Sequence, residues 1–474
     1  MAEQKYKALL PREAQDSEEY RGRIYREDEW LIHVKEGLHS HSPIARPPTV
    51  CIFTVPKILI DFNRHAYVPQ AVSIGPSYHA NKDLSDMDSH KLRAAQKMMG
   101  RIPPGTGTDI NFVVSEIEKM DGQIRGAYEK ILDCNSETLA WMMLLDASFL
   151  LELLRTLAGK DHFDSSESNS MYFEPLFDEN RIKSVGFSVL GDIIKLENQI
   201  PLFVLAKILE LEAGSEKEAQ TMLFQLLLNA ASTFFPFKNP QLSLFERNSP
   251  FIGRDHFLSF LHGITLSFFC GAKSSSSSSL STAETRFNQV LPSVSRLWKG
   301  GICIRPCTGD GGNALRFDKE ESALYLPVIK ISENTETVVR NLMAMEAFLP
   351  SELQVVSCYV GLMNSLIYTE QDATSLRMAG ILCIYVGNDE QAAQLWDGLC
   401  KGMSISSLQP LKLLKKEIME CYRAKWRARM IEFYMNRFTR PWRTTVSVIV
   451  ATCIFVFTFA QALSSMYGFK KTGP

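Results

Sequence analysis

Thr444 to Phe469 reads TTVSVIVATCIFVFTFAQALSSMYGF, 26 consecutive residues without a charge. A bilayer core of about 30 Å needs roughly 20 apolar helical residues at about 1.5 Å each. The stretch therefore predicts one transmembrane helix over 444–467, with Ile449, Phe455 and Phe457 in its apolar body. Trp442 and Tyr467 stand at the two ends, where interfacial aromatic residues belong. Gln461 falls on one helical face with Thr458 and Ser465. Polar groups there either bond a partner helix or reach the interface. A buried core helix is the alternative reading, and such helices rarely run this long without a charge.

The flanks predict an orientation. Arg423, Lys425, Arg427, Arg429, Arg437, Arg440 and Arg443 precede the span, whereas only Lys470 and Lys471 follow it. Lys and Arg favour the cytoplasmic side, so the body is expected in the cytosol and the last residues across the membrane. The N-terminus, MAEQKYKALLPREAQDSEEY, has no apolar core of the secretory type. No Asn begins an N-x-[ST] sequon, and the ten cysteines are scattered through the chain. The basic collar CYRAKWRARM reads as the positive flank of the anchor, and also as a segment able to lie on an anionic leaflet with Trp426 dipping in.

The 474 residues are 45% hydrophobic and 22% charged, which excludes a mainly disordered, collagen-like or multi-span chain. Net charge is −2, yet 423–443 carries about +6, so the rest is acidic. An acidic body with a basic collar does not match a nucleic-acid binder, whose cations line a broad face.

The soluble part reads as mainly α. Residues 1–47 are a polar region with a short helix at 23–38; 48–435 is the helical body; 436–443 is a basic juxtamembrane segment; 468–474 is a short tail. Within the body, helices are expected over 85–99, 111–131, 136–158, 185–212, 254–269, 333–348, 352–368, 391–401 and 411–434. Ser215 and Glu218 have the spacing of a capping box. A six-serine run makes 273–282 a flexible loop. Short apolar segments at 301–306, 313–317 and 323–331 predict a small antiparallel β-patch over 301–331.

Candidate chemistry is thin. Gly105 to Asp109 and Gly309 to Asn313 are glycine-rich but lack the strand, helix and Gly-Lys-Ser/Thr of a phosphate cradle. Cys303 and Cys307 have no second pair at zinc spacing. His39 and His41 sit in a polar stretch, and Asp161-His162 and Asp255-His256 have no G-x-S-x-G nucleophile elbow beside them. No catalytic, metal or cofactor-binding residue is assigned, and no small-molecule substrate is expected.

Five blocks in order carry a resemblance. IFTVPKILIDFNRHAYVPQAVSIGPSYH (52–79) contains Pro56, Tyr67, Pro69, Gly75, Pro76 and His79. MMLLDASFLLELL contains Asp146, and DIIKLENQIPLFVL contains Glu197, Asn198, Gln199 and Pro201. RNLMAMEA contains Arg340, Asn341 and Glu346; SLIYTEQDATSLRMAGI and the anchor follow. Together they resemble the plant-specific domain of unknown function 247 family, also called uncharacterised protein family 0481. The resemblance implies a plant protein with a C-terminal membrane anchor and an open molecular function. Some family members are linked to grass self-incompatibility as recognition factors. This chain departs from the family pattern at Tyr78-His79-Ala80, where His-His-Gly is usual, and at Ala147-Ser148, where Gly-Cys is usual.

Glu197, Asn198 and Gln199 lie between apolar runs. Buried polar groups need partners, so they are expected to clamp backbone amides or the Arg340-Asn341 segment. A polar binding pocket is the functional alternative. The expected whole is a tail-anchored, non-enzymatic interaction or signalling protein, with the bilayer and an unidentified protein as partners. An extracellular recognition factor and a membrane-tethered enzyme of unrecognised class are the competing readings.

Overall fold

The computed structural model describes residues 50–103, 109–159, 183–238, 255–270, 291–307, 315–402 and 408–468. The N-terminal helix at 23–38, the Ser-rich loop, His39, His41, Asp161-His162 and Gly309 to Asn313 lie outside these residues. From Thr49 onward the chain clusters as one unit.

Prolines keep the first segment short-ranged, because each removes an amide hydrogen. Between Pro56 and Pro69 fit only α1 (Lys57–Phe62) and α2 (Arg64–Tyr67), the second capped by the Asn63 side chain accepting from the Ala66 N–H at 3.2 Å. A 3₁₀ turn at Lys82–Met87 leads into α3 (Asp88–Met99). The single helix expected over 111–131 is two, α4 (Ile110–Glu118) and α5 (Asp121–Ala127). It stops because the carbonyl of Ala127 accepts from the amides of Cys51 and Ile52 at 3.0 and 2.9 Å, and Tyr128 bridges Ile52. Next comes α6 (Ser136–Gly159), with Leu139, Met143, Leu144, Ala147, Phe149, Leu151, Leu153 and Leu154 all buried. A helix apolar around most of its circumference belongs in the centre of a domain. This one packs on α3 and α4.

The reading of 185–212 as one helix is corrected. The chain forms α7 (Lys183–Asp192), a turn, and α8 (Leu202–Ala213). In a helix interior Pro201 would remove an amide hydrogen bond and clash with the preceding turn, and it sits instead just before the first turn of α8 with φ −64°. Gly214, at φ +71°, ends α8 in the left-handed region. α9 (Glu216–Phe234) packs on α8 and both cover α6. The capping box expected at Ser215 is not made, since the Ser215 side chain accepts no bond. Complete capping boxes occur instead at Thr369 with Asp372 and at Asn388 with Gln391. α10 (Phe257–Cys270) follows.

After α11 (Val294–Lys299) come β1 (Cys303–Cys307), β2 (Arg316–Asp318), β3 (Ala323–Pro327) and β4 (Ile329–Ile331). The antiparallel patch expected over 301–331 is a mixed sheet. Its order is β1-β3-β2, with β1 parallel to β3 and only β2 antiparallel. Burial explains the order: β3 is apolar and mostly buried along its length, so it takes the middle, while the polar β2 takes an edge. Pro327 ends that ladder, and β4 pairs parallel with a later strand, β5 (Leu382–Ile384). Between them run α12 (Thr335–Glu346), α13 (Val355–Leu366) and α14 (Glu370–Met378). The chain closes with α15 (Asp389–Cys400) and α16 (Gln409–Gly468), a single helix of 60 residues. The expectation of a helix over 411–434, a separate basic segment and then a span is thus replaced by one unbroken element. Its first turns pack on α13 and β2. Within it, Thr445–Ser465 is long and apolar enough to cross a membrane, and none of that stretch is buried against the body.

Leu144 is fully buried on α6. Leu144→Ala is expected to lower stability by about 2–5 kcal/mol, read from urea unfolding of the full chain in a neutral detergent.

Candidate functional site

The turn between α7 and α8 gathers the polar residues that the sequence places among apolar neighbours. Asp192 is the hub. Its carboxylate is fully buried and accepts from three consecutive amides: Gln70 at 3.0 Å, Ala71 at 2.6 Å and Val72 at 2.9 Å. The Lys195 Nζ bonds the same carboxylate at 2.8 Å and the carbonyl of Val68 at 2.7 Å. Burial pushes the Lys195 ammonium below its usual range, against the pull of Asp192.

The next residues extend this grip. Asn198 is fully buried; its Oδ1 accepts from the Ile74 amide at 2.7 Å and its Nδ2 donates to the carbonyls of Val72 and Asp192 at 3.1 and 3.0 Å. Gln199 Nε2 donates to the carbonyls of Ile193 and Lys195 at 2.7 and 2.9 Å, and its Oε1 accepts from Leu258 N–H at 3.3 Å. Glu197, half-buried, accepts from the Val55 amide at 2.6 Å and the Tyr78 hydroxyl at 2.8 Å. Asn341 on α12 accepts from the Leu196 amide at 2.9 Å and donates to the carbonyls of Ala66 and Thr337 at 2.8 Å each. The set thus ties residues 55–78, the 192–201 turn, α10 and α12 into one junction.

Beside it, the Gly75 amide donates to Asp146 at 2.8 Å, and Lys91 lies 2.6 Å from the same carboxylate. Burial pushes the Asp146 carboxyl up, opposed by Lys91 and the Gly75 amide. Gly75 has φ +75°, and a Cβ there would meet the Gln199 carbonyl oxygen at 2.6 Å. Only glycine fits. Farther along, Glu346 at the end of α12 is fully buried and accepts from the amides of Val356 and Ser357 at 2.8 Å each. That places a carboxylate at the N-terminus of α13, where the helix dipole favours it. His262 contacts the same carboxylate at 3.1 Å.

The profile of the plant protein family of unknown function DUF247 matches residues 52–457, which spans every part of this junction. The chain belongs to this family. A putative UPF0481 protein of Arabidopsis thaliana is 26% identical to it, over 94% of this chain and 96% of the relative. A second UPF0481 protein of the same plant is 24% identical, over 88% of this chain and 86% of its own length. No solved structure matches the fold.

The other sequence candidates of this DUF247 chain take simpler places. Pro56 is exposed and starts α1; Pro69 is buried; Pro76 is half-buried and His79 exposed. Tyr67 is buried at the end of α2, and Arg340, also buried, donates to Glu336 at 2.7 Å. Asp109 caps α4 by accepting from the Asn111 amide at 3.0 Å. His256 is fully buried with Nε2 at 3.0 Å from the Cys51 carbonyl, so Nε2 carries the proton. Burial lowers its pKa to about 4, which keeps the ring neutral. Cys303 and Cys307 lie on β1 as free thiols, and among the described residues no group of three His, Cys, Asp or Glu side chains is placed to hold a metal. Ile449, Phe455 and Phe457 are exposed on α16, and so is Gln461. Trp442, Tyr467, Arg437, Arg440 and Arg443 fall within the same helix. Thr458 donates back to the Ile454 carbonyl at 2.9 Å, so its hydroxyl is satisfied inside the helix.

A second polar cluster was not anticipated from the sequence. Glu152, on α6, is 3% exposed and meets Arg101, Lys97 at 2.9 Å and Arg155 at 2.9 Å, while Arg155 also pairs with Glu212. Burial alone would raise the Glu152 pKa; Arg101 and Lys97 outweigh it and bring it down to about 2. Its sequence signal was a lone acid inside FLLELL. Asp372, likewise unmarked, joins α14 to α11 by accepting from the Ser295 hydroxyl at 2.7 Å.

Asp192→Ala is expected to cost about 3–5 kcal/mol, because it strands three amides and a buried ammonium. Glu197→Gln, which keeps an acceptor for Val55, is expected to cost about 1 kcal/mol. Urea unfolding of both variants checks the order; a loss for Asp192→Ala no larger than for Glu197→Gln removes the hub role. Glu152 has a folded pKa below its ordinary 4.5, so its stabilisation is complete above that value and is lost as the pH falls toward about 2. Glu152→Gln is expected to flatten the stability-versus-pH curve across that window, measured by denaturation at pH steps.

Proposed function

We propose that this chain is a single-pass, C-terminally anchored membrane protein whose helical body acts as an interaction or signalling module and not as an enzyme. The observation that carries the reading is the 21-residue apolar stretch Thr445–Ser465, wholly uncovered by the body, on a helix whose other end is packed into it. Exposed apolar surface on this scale calls for lipid. The seven Lys and Arg residues that precede the stretch support a cytosolic body. Nine cysteines among the described residues are free thiols, which suits a reducing compartment. The non-enzymatic part is supported by the use made of the polar junction: Asp192, Asn198, Gln199, Glu197 and Asn341 bond main-chain groups and each other's neighbours, so their acceptors and donors serve architecture.

The continuous helix divides the basic collar. Arg440 and Arg443 lie within about 8 Å of Thr445 along the helix, close enough for an anionic headgroup layer, and Arg437 stands about 12 Å away, just beyond it. Arg423 to Arg429 lie about 24–33 Å away and serve the body.

Full chain tagged at both ends is expected to stay with membranes in alkaline carbonate. On sealed vesicles, protease should remove the N-terminal tag and spare the C-terminal one. Phe455→Arg with Val456→Arg should release the protein to the carbonate supernatant. A protected N-terminal tag would reverse the orientation and bring the extracellular recognition reading forward.

A further inference from the structure

Two adjacent glycines shape the place where α16 meets the body. A Cβ on Gly300 would lie 2.3 Å from the Tyr422 ring, and one on Gly301, at φ +86°, would lie 2.9 Å from the Arg429 guanidinium. The pair therefore lets α16 close onto the end of α11. The Lys425 ammonium pins the contact by donating to the Gly301 carbonyl at 3.0 Å.

Beside this contact opens a cavity of about 400 Å³. Its walls include Arg296 and Lys299 from α11, and Tyr422, Trp426, Arg429 and Phe433 from α16. The α16 residues recur at i, i+4, i+7 and i+11, a single helical face. Three cations thus face one space with no carboxylate in its lining, and among the described residues none of the three has an ion-pair partner. Trp426 and Phe433 are 51% and 57% exposed, although aromatic rings of that size are ordinarily covered. Like charges gathered without a counter-charge repel one another until an anion joins them.

We propose that this pocket binds a small, soluble phosphate monoester carried on an aromatic or apolar body. Two guanidinium forks match phosphate oxygens two at a time. A phosphate monoester carries about −1.5 to −2 at neutral pH, which answers three cations better than the single charge of a carboxylate. Tyr422, Trp426 and Phe433 supply a face for stacking the ester's body. The volume falls in the range of small-ligand sites, about 300–1,000 Å³. A bilayer headgroup is the other source of the same chemistry, and geometry disfavours it. Arg429 stands about 24 Å of helix before Thr445, whereas the headgroup layer reaches only about 5–8 Å beyond the hydrocarbon. That choice of source rests on the anchored reading above; the phosphate site does not.

The test titrates the full chain in a neutral detergent with phenyl phosphate, inorganic phosphate and phenol by calorimetry. Phenyl phosphate is expected to saturate one site at least tenfold more tightly than either of the others. Arg429→Gln and Trp426→Ala, both on an exposed face, should each weaken it tenfold or more with unchanged helical circular dichroism; Lys299→Gln on α11 is the reserve if either fails to fold. No saturable binding, or binding that these substitutions leave intact, overturns the proposal. Binding only to vesicles containing phosphatidylserine, with none to phenyl phosphate, also overturns it and gives the cations to the bilayer. The detergent titration can fail while carbonate extraction succeeds, so the site and the anchor fall separately.

Discussion

The fold depends on a single buried carboxylate. Asp192 ends α7 with its side chain turned onto the amides of residues 70–72. Those amides belong to a segment that Pro69 and Pro76 bar from a helix, and no sheet ladder takes them up. Without an acceptor the Val72 amide would be a buried donor with nowhere to bond, and the part-buried amides of Gln70 and Ala71 would lose their partner, each at a desolvation penalty. Asp192 answers all three at once, and Lys195 adds a direct bond to the same carboxylate at 2.8 Å. The rest of the junction, from Asn198 to Asn341, secures the same extended segment against the helices.

Such an arrangement contributes more to uniqueness than to net stability. Taking two ions out of water carries a penalty that their attraction repays only with good geometry and further hydrogen bonds. Asp192 with Lys195, Asp146 with Lys91, and Glu346 with the amides of α13 all meet that condition. Asp192 and Asp146 hold segments far apart in the chain, and Glu346 holds two successive helices together, so an alternative packing of the same apolar helices would leave a charge stranded. The apolar helices supply the driving force for collapse, and the buried ions select one register of packing.

Much of this was legible in the sequence because local rules decide it. The long apolar run within 136–158 marks α6, and the long uncharged run marks the C-terminal helix. The triad Glu197-Asn198-Gln199 was readable as polar residues held among apolar ones. Its partners were not, because Val55, Ile74 and Leu258 are brought to it only by the tertiary fold. Where competing preferences meet, the local reading fails: Pro201 and the demands of Asp192 break a helix that periodicity alone would extend. The sheet departs from the antiparallel expectation for a similar reason. Strand order follows from which strand is buried on both faces, and that is known only once β3 has neighbours. Glu152 shows the opposite case, a charge inside an apolar run that carried a signal of its own.

The unbroken course of α16 has a mechanical consequence. A helix turns about 100° and rises about 1.5 Å with each residue. Between the turns packed on α13 and the apolar stretch there is no loop to absorb an angular offset. The azimuth of the body around the helix axis is therefore phased to the apolar stretch by residue count, together with any bend at Pro441, which lacks the amide hydrogen for its i−4 bond. Adding or deleting one residue near Phe438 would swing the whole body through more than a quarter turn while raising or lowering it by less than the width of an atom. The helix behaves as a keyed shaft, and the faces of the body that look toward or away from whatever flanks the apolar stretch are set by its length.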